Sequence, residues 1–265
     1  MQFMGYRRED GRVGVRNYVL ILPGCACASE TCRLVASEVR GTKNVIMNVG
    51  CSDVQANTDM NLRVLTGFAL NPNVFGVIVI GLGCETVGHR ELAAKIRAET
   101  SKPVVSFGIQ EIGGTVATTA AAVKAAREMV AQASEQQREP CDASDLFVAI
   151  ECGGSDATSG IASNPAVGNM SDRIVDLGGT TMMSETIEFV GAEHILAKRG
   201  ATPEIHDQII RICEDYEKHL AGVGQDCRTG QPTTGNKAGG LSTIEEKSLG
   251  CIHKGGTRPV VEVLQ

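Results

Sequence analysis

The stretch LFVAIECGGSDATSG (146–160) opens on an apolar run, Leu146 to Ile150, and breaks at Glu151-Cys152 into a glycine pair. The run is long enough for a buried strand and too short for a helix. Glycines directly after a buried strand let the backbone turn tightly and direct its N–H groups at a ligand. The helix-start signals, Ser163-Asn164-Pro165, come later. A carboxylate, a thiol, backbone amides and two hydroxyls thus gather at the carboxyl end of a strand, where open α/β sheets bind ligands. The plain alternative is a Gly-rich turn with an incidental buried cysteine. It loses ground because the same ending recurs upstream, at VIMNVGC (45–51) and VIVIGLGC (77–84).

Outward from this stretch, apolar runs alternate with helical patterns in both directions. Upstream, strands are expected at 17–22, 44–49, 74–80 and 103–107, and helices from Ser29 and over 60–70, 89–100 and 115–134. Near-continuous Val/Ile strands between helices indicate a parallel sheet covered on both faces. Residues 1–16 read as an extended arm, and the polar run 132–145, with Pro140, reads as a linker. Downstream, a helix is expected over 161–177, a strand over 180–184, and helices over 191–199 and 203–220. The predicted fold is therefore α/β with two domains, 1–141 and 142–265, each a mainly parallel sheet flanked by helices. Residues 222–256 are Gly-, Thr- and Lys-rich and read as a long loop, mobile or partly irregular when no substrate or partner is bound. The chain stops at 260–264, where a further strand begins, so the second domain reads as incomplete.

Composition removes several function classes. Aromatics make up 3% with no Trp, and 25 Lys+Arg stand against 31 Asp+Glu. That balance gives neither base-stacking platforms nor a basic footprint, so nucleic acid is not the expected partner. No apolar run approaches the ~20 residues of a membrane span, and the N-terminus lacks the apolar core of a secretory signal. A cytoplasmic location is expected. In a reducing compartment the 10 cysteines read as thiols, metal ligands or catalytic groups, not as a disulfide framework. No CxxC pair occurs, and Cys25-Ala-Cys27 is the close spacing, so a local zinc ribbon is ruled out. The Gly81-Leu-Gly83 pair lacks the GxGxxG spacing of a dinucleotide site.

Cys51, Cys84 and Cys152 each follow a strand end, and Cys251 lies in the late loop (SLGC). Thiolates converging on one cleft would suit iron, an iron–sulfur cluster or zinc; singly, each also reads as a small buried hydrophobe. Glu85, Glu151 and Glu185 also follow strand ends, as bases or acids tuned by burial, or as helix caps and ion-pair partners. Lys237, Lys247, His253 and Lys254 are the cationic groups of the Gly-rich region, fit to neutralise a substrate carboxylate or to lie on a solvated loop. His89, His194, His206 and His219 fall on predicted helices and read as solvent-facing or capping.

The motifs GYRREDGRVGVRN (5–17), GCS (50–52), GLGCE (81–85), ECGGSDATSG (151–160), NPAVG (164–168), GNKAGGLSTIEEKSLGC (235–251) and HKGG (253–256) resemble the altronate/galactarate dehydratase family, to which the sulfolactate sulfo-lyase large subunit is similar. They cover nearly the whole chain. The resemblance implies an iron-dependent lyase, with Fe2+ or an iron–sulfur cluster, that eliminates water or sulfite from a 2-hydroxy acid with a leaving group at C3. It also implies a separate small SAF-domain subunit, because the chain starts at the domain that follows the SAF domain in many members. The runner-up is a non-catalytic or partner-dependent subunit. Homo-oligomerisation stays open. On this reading Glu151 or Glu185 is the base, and Lys247 or His253 the acid or carboxylate clamp. Gly153, Gly154, Ser155, Asp156 and Lys237 bind substrate, and Cys51, Cys84, Cys152 and Cys251 hold the metal.

Overall fold

In Val19-Leu20-Ile21-Leu22, successive side chains point to opposite faces of a strand, and all four are buried. Only a sheet covered on both sides accommodates that. The structure, a computed structural model, describes residues 1–264 and divides into two compact units, residues 2–141 and the residues from 142 onward with Met1.

The first unit runs β1 (Gln2–Arg7), β2 (Val13–Gly14), β3 (Tyr18–Pro23), α1 (Ser29–Glu38), β4 (Thr42–Asn44), α2 (Gln55–Leu70), β5 (Val74–Gly81), α3 (His89–Glu99), β6 (Val104–Gly108), α4 (Ile109–Ile112), α5 (Thr115–Glu135) and β7 (Glu139–Asp142). The main sheet has the order β4-β3-β5-β6 and is parallel throughout, with Ile21 opposite Ile78 and Ile80 opposite Phe107. Val19, Ile21, Ile78 and Ile80 pack against Cys32 and Val35 of α1 and Ala122, Ala126 and Met129 of α5. On the other face Leu20, Leu22, Val77 and Val79 meet Leu65 and Ala69 of α2 and Leu92, Ala93 and Ile96 of α3. The small alanines of α5 let that long helix lie close to the strands.

Three expectations in this unit are corrected. The arm 1–16 supplies β1 and β2, an antiparallel pair. The expected linker 132–145 holds β7, which joins them in the order β2-β1-β7; Pro140 is tolerated because it sits on an edge. The strand expected at 44–49 ends at Asn44. Beyond it the backbone bonds to the neighbouring loop instead, Met47 N–H to Ser29 Oγ at 3.0 Å and Val49 O from Ala26 N–H at 2.8 Å.

The second unit runs β8 (Phe147–Ile150), α6 (Asn164–Asp176), β9 (Thr180–Met183), α7 (Glu193–Leu196), α8 (Pro203–Gly222), α9 (Cys227–Gly230), α10 (Thr234–Ala238) and α11 (Ile244–Cys251). A π-helical turn, Ser159–Ser163, leads into α6, and 3-10 turns cover Thr186–Glu188 and Ile252–Gly255. Strands β8 and β9 pair in parallel, with Ile150 opposite Met183. The expected loop 222–256 is instead three short helices. Asp226, Thr233 and Thr243 each accept a backbone N–H at a helix start, and Thr233 with Asn236 forms a capping box. These caps satisfy the helix-end amides, which outweighs the Gly content. The expected strand at 260–264 is reduced to one bridge, Gly200 with Val260. Among the described residues no helix is long and apolar enough to cross a membrane.

Candidate active site in the second unit

Because Ile150 and Met183 are paired, the chain leaves the sheet at Glu151-Cys152 and at Ser184-Glu185 side by side. Ser184 ties the two exits, its N–H and Oγ both donating to Ile150 O at 3.2 and 3.0 Å. Glu185 then adopts a left-handed backbone, φ 67°, uncommon for a residue with a Cβ. Its Oε2 accepts the Cys152 N–H at 2.7 Å. The Cys152 sulfur lies 3.2 Å from Ser155 Oγ.

The turn that follows buries Glu188, 4% exposed. Its Oε2 is ion-paired with Lys254, itself buried, while Oε1 is buried without a hydrogen-bond partner. Cys152, Glu185 and Glu188 each offer one ligand atom, all within 4.8 Å of one another. Burial, then the Glu188 carboxylate, push the Cys152 thiol up. The same two causes push Cys251 up to about 12. Burial alone would pull Lys254 down, but its bond to Glu188 and the charge behind it hold the ammonium above its usual range.

The segment carrying Lys254 is held by residues of the quoted motifs. A Cβ on Gly168 of α6 would lie 2.1 Å from His253 O, and one on Gly160 would lie 3.3 Å from Gly250 Cα. Buried Asn164 donates through Nδ2 to Gly250 O at 3.0 Å. These contacts clamp 250–256 onto α6 and the π-turn. Between them opens a recess of about 250 Å³ whose lining includes Ser155, Asp156, Lys247, Cys251 and His253. Lys247 Nζ donates to Gln231 Oε1 at 2.9 Å and Asn236 Oδ1 at 3.4 Å, and Asn236 Nδ2 donates to Ser155 O at 2.9 Å. The Asp156 Oδ1 is occupied within its own turn by Thr158 and Ser159, which holds its carboxyl below the usual range.

Other expected residues lie outside the recess lining. Glu151, Gly153, Gly154 and Lys237 are exposed, and a Cβ at either glycine would meet nothing within 4 Å. In the first unit Cys51 and Cys84 are exposed on loops after β4 and β5. Glu85 accepts N–H groups of Leu82, Gly83 and His89; burial would raise its pKa, yet these amides hold it low. His89, read as solvent-facing, is buried with Nε2 3.3 Å from Glu111. The sequence reading missed Glu188. The available signal was an acid inside the apolar run Ile187-Glu-Phe-Val190. It also grouped Lys254 with the loop cations, whereas the fold makes it the buried counter-ion.

Residues 5–134 match the family model described as D-galactarate dehydratase/altronate hydrolase, second domain, and residues 143–265 match D-galactarate/altronate dehydratase, C-terminal. The beta subunit of (2R)-sulfolactate sulfo-lyase from Chromohalobacter salexigens is 42% identical over 97% of this chain and 65% of its own length. Altronate dehydratase of Bacillus subtilis is 35% identical over 99% of this chain, and galactarate dehydratase (L-threo-forming) of Escherichia coli is 34% identical over 99%; 54% of each is covered. The chain thus spans between about half and two thirds of the length of these relatives. With both of its units matched, the chain belongs to the D-galactarate/altronate dehydratase family.

Proposed function

We propose that this chain carries the active site of a lyase that eliminates water, or sulfite, from a sugar acid or other 2-hydroxy acid with a leaving group at C3. The observation that carries this reading is the unpartnered, buried Glu188 Oε1 beside Cys152 and Glu185. One thiolate and two carboxylates suit a single borderline divalent ion, iron in this proposal, better than a cluster that asks for a thiolate at each iron. Such an ion, when bound, polarises substrate oxygens and stabilises the charge that develops when an α-proton leaves.

The protein's own groups supply the rest. Lys247, oriented by Gln231 and Asn236, neutralises the substrate carboxylate, and the Ser155 hydroxyl orients the substrate. Glu151, exposed beside Cys152 where the chain leaves β8, is the proposed base that takes the C2 proton, with Glu185 the alternative. As the C3–oxygen bond breaks, His253 gives its proton to the departing hydroxide, which leaves as water. The enol that remains tautomerises to a 2-keto acid. A second reading, a subunit that needs a partner, is favoured by the relative named a beta subunit; a small SAF-domain chain is the proposed partner.

The test is metal content and turnover of aldarates, aldonates and sulfolactate, with and without that partner. Glu188→Gln should lower metal affinity and rate by roughly 100-fold or more. Turnover only with the partner supports the second reading. Unchanged metal and rate in Glu188→Gln overturns the site.

A further inference from the structure

Lys102 lies in the first unit between α3 and β6 and is half-buried. Its Nζ donates to two carbonyls at the end of α2, Ala69 O at 3.0 Å and Asn71 O at 2.7 Å. Arg8 takes the next carbonyl of the same turn, its Nε donating to Pro72 O at 2.7 Å. Gly14 of β2 closes over that turn, where a Cβ would fall 2.2 Å from Pro72 O. Two cations therefore share one partly buried turn, each held there by neutral oxygens.

An ammonium has three N–H groups to satisfy, and an amine has two. The two carbonyls match the amine, whose lone pair then points away from both. Carbonyls at a helix end favour a cation. Burial, and next the charges of Arg8 and Arg12, outweigh them and bring the Lys102 pKa down to about 8. A lysine with this much amine near neutrality is a nucleophile.

The surroundings select the electrophile. Partial burial favours a small one, and the guanidiniums favour one that leaves an anion in place. Arg8 spends N–H groups on Pro72 O, Gln136 Oε1 and Arg16 O, which leaves others of its fork for an anion. Arg12 is engaged with Asp10 through Nε and Nη2 at 2.9 and 2.6 Å, so Arg8 is the partner with donors to spare. Carbon dioxide meets both conditions, whereas an acetyl group is larger and ends neutral. We propose that Lys102 is a modification site that takes up carbon dioxide as a carbamate, paired with Arg8. The amine lone pair forms the N–C bond, one C=O electron pair moves onto oxygen, and the nitrogen gives one proton to solvent. The N–H that remains keeps one of the two carbonyls. This goes beyond the second unit's site and does not rest on it.

The test is incubation of the full chain with 13C-labelled bicarbonate near the Lys102 pKa of about 8. An alkyl oxonium salt then converts carbamates to stable esters, which peptide mapping by mass spectrometry assigns to residues. Lys102 should carry about 10-fold or more label than any other lysine, because an ordinary lysine is almost all ammonium at that pH. The Lys102 carbamate signal in carbon NMR should vanish in Lys102→Arg, which keeps a cation for the two carbonyls. It should fall several-fold in Arg8→Gln. The Met1 α-amine titrates in the same range and serves as the internal standard. Label confined to Met1, spread evenly over the lysines, or absent would overturn the proposal, as would a Lys102 label undiminished in Arg8→Gln. Mapping of the unsubstituted chain carries the assignment by itself, so it does not depend on any variant folding.

Discussion

Glu188 and Lys254 are a buried pair whose two members contribute very differently when one is removed. Their side chains are 4% and 8% exposed, and a buried carboxylate stripped of its cation is left uncompensated. Lys254→Met should therefore lower the stability of the second unit by about 3–5 kcal/mol. Replacing both, with Glu188→Leu added, should recover most of that loss, because two apolar groups need no counter-charge. Denaturant unfolding with chelator present checks both values. A double variant no more stable than Lys254→Met would show that the pair is not the cause.

At the scale of elements, the close crossings decide what can be substituted. Gly168→Ala puts a methyl 2.1 Å from a backbone carbonyl, so α6 and the 252–255 turn must separate, at about 1–3 kcal/mol. Gly67, inside α2, meets nothing within 4 Å, and Gly67→Ala should stabilise by about 0.5–1 kcal/mol. Thermal melts of the two variants should move in opposite directions. The tail 257–258 depends on Asp172, which accepts the N–H groups of Thr257 and Arg258 at 2.7 and 3.2 Å. Burial works against the Asp172 anion, yet these bonds hold its pKa low. A depressed acid stabilises above its unfolded pKa, and that contribution is lost as pH falls through the folded value. Acid titration should thus loosen the tail below the ordinary carboxylate range, and Asp172→Asn should loosen it at neutral pH. Proteolysis at 257–260 reports both. The strands β3, β5, β6, β8 and β9 were legible because each is a short run of apolar or β-branched residues with a clear end. β7 was not, since an edge strand carrying Pro140 looks like a linker. The pairing of Glu188 with Lys254 was hidden because it depends on Gly168 and Gly160 folding 250–256 back onto α6.

For the whole molecule, we propose that the two units unfold separately, since each closes its own apolar clusters. Two transitions are expected in denaturant, with Gly168→Ala moving one and Gly67→Ala the other. A single transition shifted by both would reject this. If Glu185 serves the proposed site, stability and chemistry make opposite demands at position 185. A left-handed backbone there favours glycine by about 1–2 kcal/mol over a residue with a side chain. A library randomised at this codon and selected for folding alone should therefore return glycine or asparagine, and the same library selected for turnover should return Glu185. The difference between the two pools would measure, in sequence counts, how strongly that carboxylate is needed.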